Sequence, residues 1–145
     1  MNSIYEAISI WLRVCPEVNG YTYFNVIPMI PDTASVNSNS SSDILNKFID
    51  GSMEVRLLFN INLVKSYDEG TSDLNLEAIN SFDEITKFIE DMNLKQKFPI
   101  LGDNYIVNEI GSLYKAPEVY TLQEDTSIAR YEGQFYIQYL QMKGD

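Results

Sequence analysis

The chain of 145 residues is 45% hydrophobic and carries 10 basic against 21 acidic side chains, a net charge of −11, with no histidine and a single cysteine. That length supports one domain, residues 1–145, with a core of its own and no need of metal or disulfide support. The acidic balance opposes sequence-specific nucleic-acid binding, which requires a basic face, and the absence of any run of 18 apolar residues excludes a membrane-spanning helix and predicts no membrane partner.

The first element in chain order is a helix. Ile4, Ile8, Trp11, Leu12 and Cys15 form one apolar stripe at helical spacing. Ser3 serves as N-cap, and Glu6 stands where a capping box places its acid. Pro16 ends the helix by pushing Cys15 out of the α region. Cys15 reads as a buried thiol, since no histidine or cationic cluster would activate it. The N-terminus lacks a basic region and has Glu6 inside its apolar stretch, unlike a signal peptide. The expected setting is soluble and intracellular.

"YTYFNVIPMIP" is aromatic and β-branched and predicts a first strand ending at Pro28. "DTASVNSNSSSD", residues 32–43, is dominated by Ser and Asn and predicts a flexible surface loop. Its tip, Ser38, Asn39, Ser40, Ser41 and Ser42, is either a tolerated insertion or a segment that orders against a partner. Asp50-Gly51 between two strand-like runs signals a hairpin. After it, Met53, Val55, Leu57, Phe59, Ile61 and Leu63 share one face of a strand about twelve residues long, against a usual five or six.

The period then changes. Ala78, Phe82, Ile85, Ile89 and Met92 predict an amphipathic helix over Leu74–Leu94, capped by Ser72 or Asp73, with an acidic solvated face. "YIVNEIGSLYKAP" predicts a strand with a bulge at Gly111, and "EVYTLQED" a short further strand. The closing stretch "IARYEGQFYIQYLQ" alternates strictly, with Tyr131, Gly133, Phe135, Ile137 and Tyr139 on one face. Thirteen such residues span roughly 43 Å, whereas a compact domain of this length is only about 40 Å across. The expected architecture is α+β: a mostly antiparallel mixed sheet with two amphipathic helices packed on one face.

Catalytic and metal-binding motifs do not emerge. Without histidine there is no Ser-His-Asp or Cys-His arrangement; CxxC, HExxH and GxxxxGK[ST] patterns are missing too. "DEGTSD", residues 68–73, lacks the calcium-loop pattern. No cofactor or metal is expected, and a binding or structural protein is favoured over a carboxylate-based cytoplasmic enzyme.

A strand as long as its domain either coils around the core or projects past it, and a projecting edge invites pairing with another chain. Arg56 and Arg130 on the polar faces of the two long strands, with Tyr131, Tyr136 and Tyr139, are candidates for a contact between copies. The alternative is that both strands coil within one monomer and the arginines are merely solvated.

The segments "IWLRVCP", "FNVIP", "KFIDGSMEVRLLFNINLVKSYD", "FPILGDN" and "EDTSIARYEGQFYIQYLQ" follow one another along nearly the whole chain. Together they resemble the small phage tail terminator or minor capsid proteins of Gram-positive hosts, particularly clostridial phages and phage-tail-like bacteriocins. The resemblance implies a ring of copies, usually six, at the head-proximal end of a tail, assembled in the host bacterial cytoplasm. Such a ring stops growth of the tail-tube protein, meets a neck or collar protein, and contacts the sheath protein where the tail contracts. A head–tail connector is the neighbouring alternative. An acidic surface suits a passage through which DNA slides without sticking. The serine-rich stretch departs from what the resemblance leads one to expect.

Overall fold

A computed structural model describes residues 3–18, 20–66, 73–113, 118–123 and 128–143. Ser72 and most of "DEGTSD" lie outside them. The described elements are α1 (Ile4–Leu12), a single 3-10 turn (Pro16–Val18), β1 (Tyr23–Phe24), β2 (Thr33–Lys47), β3 (Met53–Ser66), α2 (Asp73–Leu94), β4 (Tyr105–Ser112), β5 (Glu118–Gln123) and β6 (Ile128–Gln141). The chain is α+β, as expected, with one mixed sheet of six strands in the order β1-β2-β3-β6-β4 and with β5 also paired to β6. Among the described strands, the β1–β2 pair alone is parallel.

The two long strands are long because they pair with each other. β3 and β6 run antiparallel in unbroken register from Met53↔Gln141 to Ser66↔Ile128. Each has a second neighbour as well: β2 lies beside β3, and β4 and β5 share the far side of β6. This corrects one expectation. β6 is an interior strand, so its backbone is not a projecting edge for another copy.

Alternation along these strands divides the sheet into two faces. Val55, Phe59, Ile61 and Leu63 of β3 and Ala129, Tyr131, Phe135, Ile137 and Tyr139 of β6 are buried on the same side. There they meet Ile8 and Leu12 of α1 and Phe82, Ile85 and Ile89 of α2. Phe59, Phe135 and Phe82 stack through the layer, with centroid separations of 5.8 and 6.1 Å. Gly133 makes room for that stack, because a Cβ there would lie 2.5 Å from Phe82 Cζ. Burying a side chain such as Phe82 contributes roughly 1.5–3 kcal/mol, so this contact is a main anchor of α2.

α1 begins as expected, with Ser3 Oγ accepting from the Glu6 amide at 3.1 Å, and ends at Leu12, ahead of Pro16. Cys15 is 1% exposed, and burial pushes its thiol pKa up. α2 ends in a left-handed residue, Gln96 (φ 57°), with Lys95 bonded to Asp91 at 2.9 Å.

Three local expectations are corrected. The strand anticipated over Tyr21–Pro28 shrinks to Tyr23–Phe24, because Asn25 turns left-handed (φ 52°) and spends its side chain on the Ser38 amide instead. Residues 32–43 are not a flexible loop: from Thr33 onward they form most of β2. Ala34 and Val36 point into the core opposite Leu63 and Ile61, while Ser35 and Asn37 face the other way and hydrogen-bond each other at 2.9 Å. The bulge sits at Val107/Glu109 rather than at Gly111. Gly111 instead receives the Tyr136 ring, whose hydroxyl would be 3.0 Å from a Cβ at that position.

Candidate functional site

The face of the sheet away from the helices carries the polar alternates: Arg56 and Asn62 of β3, Arg130, Glu132, Tyr136 and Gln138 of β6, and Glu109 of β4. The guanidinium of Arg56 lies 5.0 Å from the centre of the Tyr136 ring. Burial foremost, then the charge and hydrogen bond of Glu109, raise the phenol pKa of Tyr136. Arg56, Tyr136 and Glu109 therefore form one stripe across three strands. The Nε of Arg56 is buried without a hydrogen-bond partner among the described residues.

Arg130 occupies the same face further along. It donates to Asn62 Oδ1 at 3.1 Å and lies 3.5 Å from a Glu132 carboxylate oxygen. Asn62 is 1% exposed, so this arginine satisfies a buried acceptor of its own chain. The ion pair between copies expected of Arg130 involves a second chain, and within its own chain Arg130 is held by Asn62 and Glu132. Tyr131 and Tyr139, expected at the same contact, are 2% and 4% exposed within the chain. Their rings belong to the core, and Tyr139 packs edge-on against Tyr105 at 5.6 Å. Of the five residues expected at a subunit contact, Arg56 and Tyr136 come together, and they do so within the sheet.

The expected partner-contacting loop, Ser38 to Ser42, is the irregular middle of β2. Ser38 pairs with Phe59 and Ser42 with Leu57, so two extra residues of β2 bulge from the ladder. The bulge is held locally. The Tyr5 hydroxyl donates to the Asn39 carbonyl at 2.7 Å, and Asn39 Oδ1 accepts from the Ser41 amide at 3.1 Å. Ser40 contributes its backbone to the same strand.

Beyond the bulge, the sheet presents an uncovered border. β1 pairs only with Ser35 and Val36, and Asn25 caps Ser38, leaving Ser42–Lys47 with no partner on the outer side among the described residues. This half of β2 is exposed and apolar at once. Ile44 and Leu45 are exposed, Phe48 follows at 46%, and Ile49 is fully exposed. The turn beyond them is firmly built: Gly51 takes φ 92°, and Asp50 Oδ1 accepts from the amide and hydroxyl of Ser52 at 2.9 and 2.6 Å. These two bonds hold the Asp50 carboxyl pKa below its usual 3.8. The sequence signal for this patch is the pair of apolar doublets in "ILNKFI". Adjacent residues of a strand point to opposite faces, so one side of the sheet cannot bury both members of a doublet.

The opposite border is β4, which ends the sheet. Asn93 Oδ1 caps the Ile110 amide at 3.0 Å, while Tyr105–Glu109 have no outer strand among the described residues. Ile106 and the preceding Ile100 are exposed. Beside this end a groove of about 560 Å³ is lined by Ala7, Ile10, Trp11, Phe98, Ile100, Leu101 and Gly102. The indole of Trp11 donates to the Lys97 carbonyl at 2.9 Å, fixing the groove wall.

Among the described residues there is no cluster of three metal-ligating side chains, and no helix is long and apolar enough to cross a membrane. Comparison with protein-family models gives no match, and comparison with curated proteins gives none.

Proposed function

We propose that this protein is a structural component of a phage tail or tail-like particle, forming a ring, six copies in the expected case, at the head-proximal end of the tail. The observation that carries this reading is a pair of borders, on opposite sides of one sheet, that have no outer strand among the described residues and are flanked by exposed apolar side chains. Two unlike borders can meet head-to-tail, and a head-to-tail contact whose rotation closes makes a ring. The resemblance of the ordered segments to tail terminators supports the same assignment, and a net charge of −11 suits a passage that DNA must traverse without adhering. In this role the ring caps the tail-tube protein, halts its polymerisation and offers a surface to the neck or collar, and to the sheath in a contractile tail.

The test is location and length. Labelled particles should show signal at one tail end only, and deletion should yield tails of irregular, excessive length. Label along the tube would overturn the proposal. Tails of normal length that fail to join a head would move the protein one ring further, to the connector.

A further inference from the structure

The ring reading leaves open which surfaces meet, and the strand directions answer it. β2 runs antiparallel to β3, β3 to β6 and β6 to β4, so β2 runs antiparallel to β4. A second copy placed beside the first, with its helices on the same side, would lay its β4 antiparallel against the open half of β2. Among the described residues the uncovered lengths are close: six residues on one border, Ser42–Lys47, and five on the other, Tyr105–Glu109. In an antiparallel pair, the chain that leaves β2 at Lys47 passes the start of the neighbour's β4. Phe48 and Ile49 then arrive over Gly102, Leu101 and Ile100, where the apolar groove beside Trp11 opens. Strand polarity allows this arrangement, and the exposed apolar side chains beside both borders favour it independently.

Area decides whether the strand pairing suffices alone. Six residues of edge span about 20 Å, and a sheet layer is about 10 Å thick, so pairing covers on the order of 200 Å² per copy. A stable specific interface needs about 800 Å² per partner. Backbone pairing therefore supplies only a fraction, and the apolar hairpin seated in the groove must supply much of the rest. This explains why the tip carries Ile44, Leu45, Phe48 and Ile49 in the open when an unprotected edge normally displays charge or proline.

We infer that copies of this chain join head-to-tail, with the open half of β2 adding to the neighbour's β4 and the Phe48–Ile49 tip filling the neighbour's Trp11 groove. The occupant is a second copy of this chain, and the inference rests on the ring reading above.

Two measurements on the full chain test it. Asn46 and Ile106 are exposed, lie on the helix-free face opposite Glu54 and Leu140, and face each other across the seam when Lys47 is set against Tyr105. In the double variant Asn46→Cys/Ile106→Cys, mild oxidation of assembled rings should give a ladder of linked copies, while each single variant gives none. Trp11 is the only tryptophan, so assembly should shift its emission to shorter wavelength. Ile49→Asp, at a position outside the monomer core, should abolish both the shift and the oligomer while leaving the circular dichroism of the monomer unchanged. Rings that persist in Ile49→Asp and never cross-link would overturn this seam while leaving the ring reading intact. A chain that stays monomeric both alone and on isolated tails would overturn both.

Discussion

The contact between Gly133 and Phe82 gives the sharpest test of how the helical layer is held. Replacing Gly133 by Ala has two opposed effects. In a strand, Ala loses less conformational entropy on folding than Gly and should gain roughly 0.5–1 kcal/mol. The new Cβ, however, would stand 2.5 Å from Phe82 Cζ and 2.6 Å from Cε1, about 1 Å inside ordinary contact. The ring has little freedom to retreat, being 2% exposed and stacked on Phe135 at 6.1 Å. Overpacking of a close-packed core typically costs 1–3 kcal/mol, so the clash wins and Gly133→Ala should destabilise by about 1–2 kcal/mol net. For a chain of this size that lowers Tm by roughly 2–8 °C. Urea denaturation followed by circular dichroism measures it directly, with the midpoint falling and the slope unchanged. The decisive arm is a double-mutant cycle with Phe82→Leu. The smaller side chain opens the space, so Gly133→Ala in that background should be neutral or stabilising, with a coupling energy of about 1–3 kcal/mol. A Gly133→Ala protein as stable as the parent, or a cycle with no coupling, would refute the docking of α2 described above.

Three further outcomes are expected. Arg130→Ala should lower monomer stability by about 2 kcal/mol, because it strands the buried Asn62 carbonyl and removes a charge-assisted bond; a urea midpoint unchanged from the parent would instead mean the arginine is merely solvated. The Asp50 carboxyl is held below 3.8 by Ser52, so its contribution to the turn is present above that value and is lost as pH falls through the lowered folded-state pKa. In Ser52→Ala the NMR-detected titration of Asp50 should move up toward 3.8. Tyr136 is shifted the other way, upward from 10.0 by burial first and by Glu109 second. Its contribution is complete below 10.0 and disappears as the solution becomes alkaline through the raised value. Glu109→Gln should bring the phenolate absorbance transition of Tyr136 down toward 10.0, and an unmoved transition would separate the two side chains.

Much of this protein is written locally. The stripe in α1, the period of four and three in α2 and the strict alternation of β3 and β6 each report a face to be buried, and each element stands where its pattern placed it. The α+β class follows from those patterns because a one-sided sheet and two one-sided helices have few ways to cover each other. The Asp50-Gly51 turn is equally local, needing only a residue that accepts φ 92° and a carboxylate two positions before a serine.

What the sequence could not determine is who pairs with whom. The Ser/Asn stretch has poor strand propensity, yet Thr33–Ser38 is held in register by β3, whose own apolar face needs Ala34 and Val36 to complete it. Propensity yields there to the hydrogen bonds a neighbouring strand supplies. The same holds for the candidate site. Arg130, Tyr131 and Tyr139 carry residue types typical of interfaces, and only the packing reveals that the first serves Asn62 and the others the core. The open borders are likewise a property of strand order. No local pattern distinguishes a strand with two neighbours from a strand with one, because the missing neighbour is distant in the chain. Sequence thus determined the faces of this protein, and tertiary structure alone decided its edges.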